Sequence, residues 1–209
     1  MKLDFTSRPL SWSQISQFQY NPEIWYDKYI LNKRTPTNAA MEFGTIVGRR
    51  LASEPGYLPE IERIEGGIYE KELRFKVGGI NIIGYIDWFH PDLKSLKEFK
   101  TGKSWTKEKA EEHGQLKLYS LGLMIQENIK PEDLTIRLYS METESRGDFT
   151  MTFVKGMKPV VHEVKLTTRD CLMFGAELLN IVKEMEEYVD SKLAYKKEAD
   201  TLVEVGLIK

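Results

Sequence analysis

Three residues within one short stretch have the types and the spacing to do chemistry together. The stretch is GYIDWFHPDLKSLKEFKTGK, residues 84–103, and the residues are Asp87, Glu98 and Lys100. Asp87 closes the apolar run Ile82-Ile83-Gly84-Tyr85-Ile86. His90-Pro91-Asp92 is a turn signal, after which a second run rises through Leu93, Leu96 and Phe99. The stretch therefore reads as a β-hairpin. Alternation along its second strand puts Glu98 and Lys100 on one face and Phe99 on the other. A carboxylate and an amine on one strand face, with an aspartate one strand over, form a compact polar cluster. Oxygen donors on rigid strands suit a hard divalent cation. A lysine beside such a cation can orient a water and help to deprotonate it.

Positioning these groups takes a strand pair, a helix behind it and a sheet around it. Residues 68–77 and 80–88 read as strands joined by Gly78-Gly79, a hairpin signal. With residues 93–101 they make a three-stranded antiparallel meander. Glu70 and Glu72 alternate outward on the first strand; a solvated face is the preferred reading, with either able to stand in as a metal contact. Residues 105–129 read as the longest helix, with Leu118, Leu121 and Ile125 as its buried stripe. Gln115 and Tyr119, four apart, share another face of it. His113, among Glu111, Glu112 and Gly114, is expected to be exposed. Pro131 stops the helix, and residues 134–141 follow as a strand apolar enough to be central. A strand–helix–strand crossover of this kind is expected to be parallel and right-handed. Residues 149–154 and 160–164 read as a further antiparallel pair or extension. Thr167 to Asp170 then caps a final amphipathic helix reaching about residue 195, before a weak strand or loose tail from residue 199.

Upstream, Ser11 and Gln14 look like a helix start, and Asn21 caps a second helix with Pro22 at its first position. Trp25, Tyr26 and Tyr29 read as packing aromatics in preference to base-stacking ones. Residues 41–51 form a helix with Phe43, Val47 and Leu51 as one buried stripe. Gly44 and Gly48 fall one turn apart on it. Glycine inside a helix costs about 1 kcal/mol against alanine, so this pair suggests close approach by another backbone or by a ligand. Arg49 and Arg50 follow and could face phosphate. The whole reads as one α/β domain over residues 1–209, a sandwich with a mixed central β-sheet and helices on both faces.

Composition narrows the function classes. At 209 residues, 41% hydrophobic and 30% charged, the chain suits a single globular core. A net charge of −2 counts mildly against strong nonspecific binding to nucleic acid, without excluding an acidic metal site with a basic rim. No apolar run approaches a membrane span, and MKLDFTSRPL lacks the apolar core of a signal peptide, so cytoplasmic residence is the expectation. The single cysteine, Cys171, permits no intrachain disulfide and no four-cysteine iron–sulfur cluster, and reads as a small core residue.

The order of these pieces resembles a known family. Gly84 and Asp87 form G-x-x-D; Glu98, Lys100 and Thr101 form E-x-K-T; Gln115 and Tyr119 form Q-x-x-x-Y. SWSQISQFQYNPEIWYDKY looks like an opening helical segment, and MEFGTIVGRRL like a G-T-x-x-H-x-x-L helix. Together they resemble the PD-(D/E)XK nucleases, RecB-like exonuclease branch, and imply a restriction-endonuclease-like sandwich. The resemblance implies that Asp87, Glu98 and the backbone carbonyl of Phe99 hold Mg²⁺ or Mn²⁺, with Lys100 aligning the water. It implies further that Gln115, Tyr119, Arg49 and Thr101 meet nucleic acid, Gln115 and Tyr119 also standing beside the lysine. DNA is the implied partner, with other replication or recombination proteins beside it, and recombination, repair or replication the implied setting. Two departures matter. Asn21 stands where several members carry the first iron–sulfur cysteine. Gly48 stands where the family pattern has a metal-facing histidine. The second departure motivates an alternative, a catalytically degenerate nuclease fold that binds DNA or a partner protein. A third reading, an interaction module with an accidental E-x-K, is opposed by the clustered carboxylates, which repel unless a cation or lysine offsets them.

Overall fold

The structure, a computed structural model, describes residues 2–34, 36–147 and 150–204. A mixed six-stranded sheet is flanked by helices. Its strands are β1 (Ile68–Val77), β2 (Ile80–His90), β3 (Ser95–Gly102), β4 (Thr135–Ser145), β5 (Met151–Phe153) and β6 (Val160–Val164). The helices are α1 (Trp12–Tyr20), α2 (Pro22–Trp25, running on into a π-helical turn over Tyr26–Ile30), α3 (Ala39–Ser53), α4 (Lys107–Glu111), α5 (Gly114–Gln126) and α6 (Thr168–Glu204).

The hairpin between β1 and β2 turns on Gly78 and Gly79, whose φ values of 55° and 86° lie where only glycine sits without strain. β2 and β3 pair antiparallel, Trp88 opposite Lys97 and His90 opposite Ser95. β3 and β4 pair in parallel along their length, from Ser95 opposite Thr135 to Gly102 opposite Glu142. The last two strands do not pair with each other. β6 runs antiparallel to β4 over Ile136–Ser140, and β5 over Thr143–Ser145. β4 is long enough for both, because it continues past residue 141, where the apolar pattern of the sequence ends. Phe149 lies outside the described residues.

The expected single helix over residues 105–129 is two. Thr106 caps α4, its hydroxyl accepting the Lys109 amide. His113 then adopts an extended ψ of 108°, and Gly114 opens α5. α5 is apolar on nearly every side through its middle, burying Leu116, Leu118, Tyr119, Leu121 and Leu123. A single stripe is therefore the wrong picture, and Ile125, expected inside, is exposed. His113, expected outside, packs on Trp105 at a centroid distance of 4.8 Å. Its burial and the nearby Lys100 and Lys109 charges pull its imidazole down to a pKa of about 3.

The chain divides into two compact units. One comprises residues 1–34, 76–82 and 175–209. In it Asn21 caps α2 with Pro22 at the first position, whereas Ser11 makes no side-chain cap to α1. Trp25 and Tyr26 are buried, and Phe18 meets Trp25 edge-on at 5.0 Å and Tyr188 at 6.0 Å, so these aromatics pack. The other unit comprises residues 35–75 and 83–174. There Val47 and Leu51 of α3 join Ile61, Tyr139 and Met141 in a core cluster, with Phe43 and Phe99 against it. Thr167 and Asp170 exchange hydrogen bonds at the start of α6, a reciprocal cap, and Cys171 behind them is buried, its thiol pushed up to about 12 by desolvation. α6 continues to Glu204, further than its amphipathic pattern suggests; residues 205–209 lie outside the described residues. Among the described residues, no helix is long and apolar enough to cross a membrane.

Candidate active site

All the residues that the sequence singles out for chemistry lie in the second unit. The β2–β3 pairing nearest the site is Trp88 opposite Lys97; the next step along that ladder would bring Asp87 against Glu98. There a side chain takes over from the backbone. The Phe99 amide donates to Asp87 Oδ2 at 2.6 Å. Asp87 is thus fixed by the strand that carries its partners, at the point where ladder bonding gives way.

Glu98 is 1% exposed. Its Oε1 accepts an ion pair from Lys100 Nζ at 2.7 Å, and its Oε2, shielded from solvent, meets no donor except the Asp87 carboxyl when that acid is protonated. A buried carboxylate oxygen without a partner is costly, and a few kcal/mol is the ordinary scale. Burial first, then the neighbouring Glu98, pushes the Asp87 carboxyl well above the usual range. Burial likewise raises Glu98, against the pull of Lys100. The two acids therefore resist being charged together, which is the condition a divalent cation relieves.

Lys100 is held from its other side. Its ammonium donates to Gln115 Oε1 at 2.6 Å, Gln115 Nε2 donates to the Tyr119 hydroxyl at 2.6 Å, and that hydroxyl donates to the Tyr85 carbonyl. The four-residue spacing of Gln115 and Tyr119 on α5 makes this relay possible. Every donor in it has one acceptor, so the Gln115 amide has one satisfied orientation. Desolvation and the Glu98 charge push the Tyr119 phenol upward, keeping it protonated as a donor. Gly84 now has a physical reason: a Cβ there would stand 2.9 Å from Tyr119 Cε1. The glycine three residues before Asp87 makes room for the ring that ends the relay.

A cleft of about 780 Å³ opens beside this cluster. Asp87, Phe99, Lys100 and Thr101 form one wall, and α3 the other, with Gly44, Gly48 and Arg49. Gly44 serves close approach, since a Cβ would sit 3.1 Å from Thr101 Oγ1. Gly48 does not: a Cβ there would meet nothing within 4 Å. Position 48 faces open cleft, where a larger side chain has space. Arg50, in contrast, is engaged with Glu54 and lies over the Tyr57 ring at 3.8 Å.

The Asp87 and Glu98 carboxylates, joined by the Phe99 carbonyl, would make an all-oxygen set that suits Mg²⁺ or Mn²⁺, which keep several waters when held by one or two carboxylates. Among the described residues no three His, Cys, Asp or Glu side chains converge as a ready ligand group. Strand alternation places Glu70 on a solvated face with Glu72. Glu72 is there, bound by Arg74 and the Tyr85 hydroxyl. Glu70 instead lines the cleft, from a backbone with φ of 51°. That conformation costs of order 1–3 kcal/mol for a side chain such as glutamate. No residue type in β1 announces it, so alternation alone does not separate the two glutamates.

No family model and no curated protein matches the sequence. Among solved structures, a candidate exonuclease from Eubacterium rectale is similar, at 12% identity and a TM-score of 0.53, over 90% of this chain and 88% of that one. An alkaline exonuclease from Laribacter hongkongensis matches at 16% identity and a TM-score of 0.48, over 95% of this chain and 97% of that one. A phage-related exonuclease from Haemophilus somnus matches at 12% and 0.44, over 87% and 81%. The likeness to the Eubacterium rectale structure shows a common fold; the other two, at lower scores, carry no argument.

Proposed function

We propose that the protein is a metal-dependent deoxyribonuclease of the PD-(D/E)XK, RecB-like kind, an exonuclease that hydrolyses DNA phosphodiester bonds in recombination, repair or replication. The observation that carries this reading is Glu98, a fully buried carboxylate with one oxygen on Lys100 and the other with no donor except a protonated Asp87 beside it. Such an arrangement is unfavourable in an inert core and apt for a cation. Asp87, Glu98 and the Phe99 carbonyl would hold Mg²⁺ or Mn²⁺, which would acidify a water and offset charge building on the phosphate.

The remaining work falls to the chain. Lys100, anchored by Glu98 and Gln115, presents its ammonium at the cleft to align the attacking water and to donate to the developing oxyanion. Gln115 and Tyr119 fix that ammonium in position. Arg49 and Thr101, which both line the cleft, would meet backbone phosphates. Incubating the purified protein with linear single- and double-stranded DNA, in Mn²⁺ and in EDTA, tests the reading. Mononucleotides or short products accumulating only with Mn²⁺ support it; intact DNA under all conditions overturns it.

Gly48 favours one second reading, a degenerate nuclease fold that binds DNA or a replication or recombination protein without cutting. Intact DNA that nevertheless migrates with the protein in a gel-shift assay would select it.

A further inference from the structure

We infer that Glu70, on the strand next to the one that carries Asp87, holds the cation through the cation's hydration shell, in place of the ligand that Gly48 does not supply; the inference rests on the metal-site reading above. Glu70 lines the same cleft as Asp87, Lys100 and Gly48. Among the described residues, the other non-glycine positions with positive φ are Asn32, Lys94 and Asn128, all outside the helices and strands. Glu70 alone adopts this conformation within a strand, with φ of 51°. A left-handed residue inside a strand breaks the side-chain alternation and re-aims its side chain. Its carboxylate has no hydrogen bond or ion pair among the described residues, whereas Glu72 on the same strand has Arg74 and Tyr85.

The second observation is at the centre of the site. Glu98 Oε2 is buried, and only a protonated Asp87 carboxyl could donate to it, so once both acids are ionised a cation is the partner left for it. The third is the gap: a Cβ at position 48 meets nothing within 4 Å. A cation held by Asp87 and Glu98 would thus have no ligand from position 48 of α3. Glu70 lies within electrostatic reach of Asp87 and Glu98, yet among the described residues the three form no ready ligand group, so it acts on the waters that Mg²⁺ and Mn²⁺ retain. Outer partners of this kind typically change metal affinity by about 10–100-fold.

Calorimetric titration of Mn²⁺ into the full chain tests this, with thermal melts in EDTA as the companion measurement. Glu70→Gln should weaken binding by about tenfold or more. Gly48→His on that background should restore it, because a ligand on α3 makes Glu70 dispensable. Glu70→Gly separates the role from a structural one. It relieves the positive φ, so the melting temperature in EDTA should rise while Mn²⁺ affinity falls. Wild-type affinity in both Glu70 variants, with binding still lost in Asp87→Asn, overturns this inference and leaves the metal site standing. A wild type that binds no Mn²⁺ overturns both.

Discussion

Lys97 and Lys100 lie three residues apart on β3, and their surroundings could hardly differ more. Lys97 is 1% exposed; its ammonium donates to the Glu62 carbonyl and lies 4.2 Å from the Trp88 ring centroid. Its direct contacts are a carbonyl dipole and π-faces, with the Glu62 carboxylate acting on it through space. Desolvation lowers its pKa, yet the Glu62 carbonyl holds it in place against the core. Lys100 faces the other way. Its partners are a carboxylate that resists ionisation and an amide fixed by a tyrosine, and it reaches an open cleft. A buried charge is therefore no sign of a site by itself. What marks the Lys100 side is surplus: an oxygen with no donor once both acids are ionised, two acids in conflict, and room beside them.

Deleting each lysine should break the comparison in opposite ways. Lys100→Ala removes water alignment and should cut hydrolysis per folded molecule by about 10²–10⁴-fold; it also strips the buried Glu98 of its ion-pair partner, so the melting temperature should fall. Lys97→Ala empties a buried volume like that of a methionine and should cost about 2–5 kcal/mol. Activity per folded molecule should then be retained. Single-turnover cleavage and urea unfolding of both variants check this; cleavage at the wild-type rate by Lys100→Ala would remove it from the mechanism.

Gly84→Ala probes the relay without touching an acid. The added methyl meets Tyr119 at 2.9 Å, and overpacking of this kind costs about 1–3 kcal/mol. If the ring moves to avoid it, the hydroxyl leaves Gln115 and the Lys100 ammonium loses its second anchor. Lower turnover with unchanged Mn²⁺ affinity is the expected pattern.

The two acids give a pH signature. Asp87 and Glu98 both have folded-state pKa values raised above their unfolded ones. Their contribution to stability is fully present below the ordinary carboxylate range and is lost as pH rises through the raised values. At neutral pH without metal they oppose folding. Asp87→Asn should therefore raise the melting temperature in EDTA at about pH 8 and change it less at about pH 5. Mn²⁺ should raise the melting temperature of the wild type and not of the variant, since it binds only the intact folded site. Differential scanning calorimetry at the two pH values measures both effects.

Much of the Lys100 side is legible in the residues alone. Gly78-Gly79 and the alternation around Phe99 are local patterns, and the β1–β2 turn and β3 follow them; the spacing of Gln115 and Tyr119 gives a shared helix face, and only the family resemblance brings that face to the lysine. The break at His113 is not legible, because the Trp105 ring that holds it lies in the loop before α4. Nor is the buried circumference of α5: periodicity reports one apolar face, and a helix covered on several sides has none to report. Glu70 escapes for a different reason. Glutamate carries no preference for positive φ, so its backbone conformation is imposed by the surroundings and leaves no mark in the residue type.

The smallest effect concerns the two glycines of α3, which share a residue type and a helix face and differ only in what lies opposite. Replacing glycine by alanine in a helix interior gains about 1 kcal/mol when the new methyl meets nothing. Gly48 satisfies that condition, so Gly48→Ala should raise stability by about that amount. Gly44 does not: its methyl would press on Thr101 Oγ1 at 3.1 Å, which must yield or push α3 away from β3. Gly44→Ala should therefore gain less, or lose, and should disturb Thr101 and the adjacent Lys100 backbone. Urea unfolding of the two variants ranks them, and cleavage assays should show Gly48→Ala active and Gly44→Ala slowed. The opposite ranking would mean that α3 stands closer to the cleft at position 48 than at 44. The space required for a restored ligand there, and with it the compensating place given to Glu70, would then be gone.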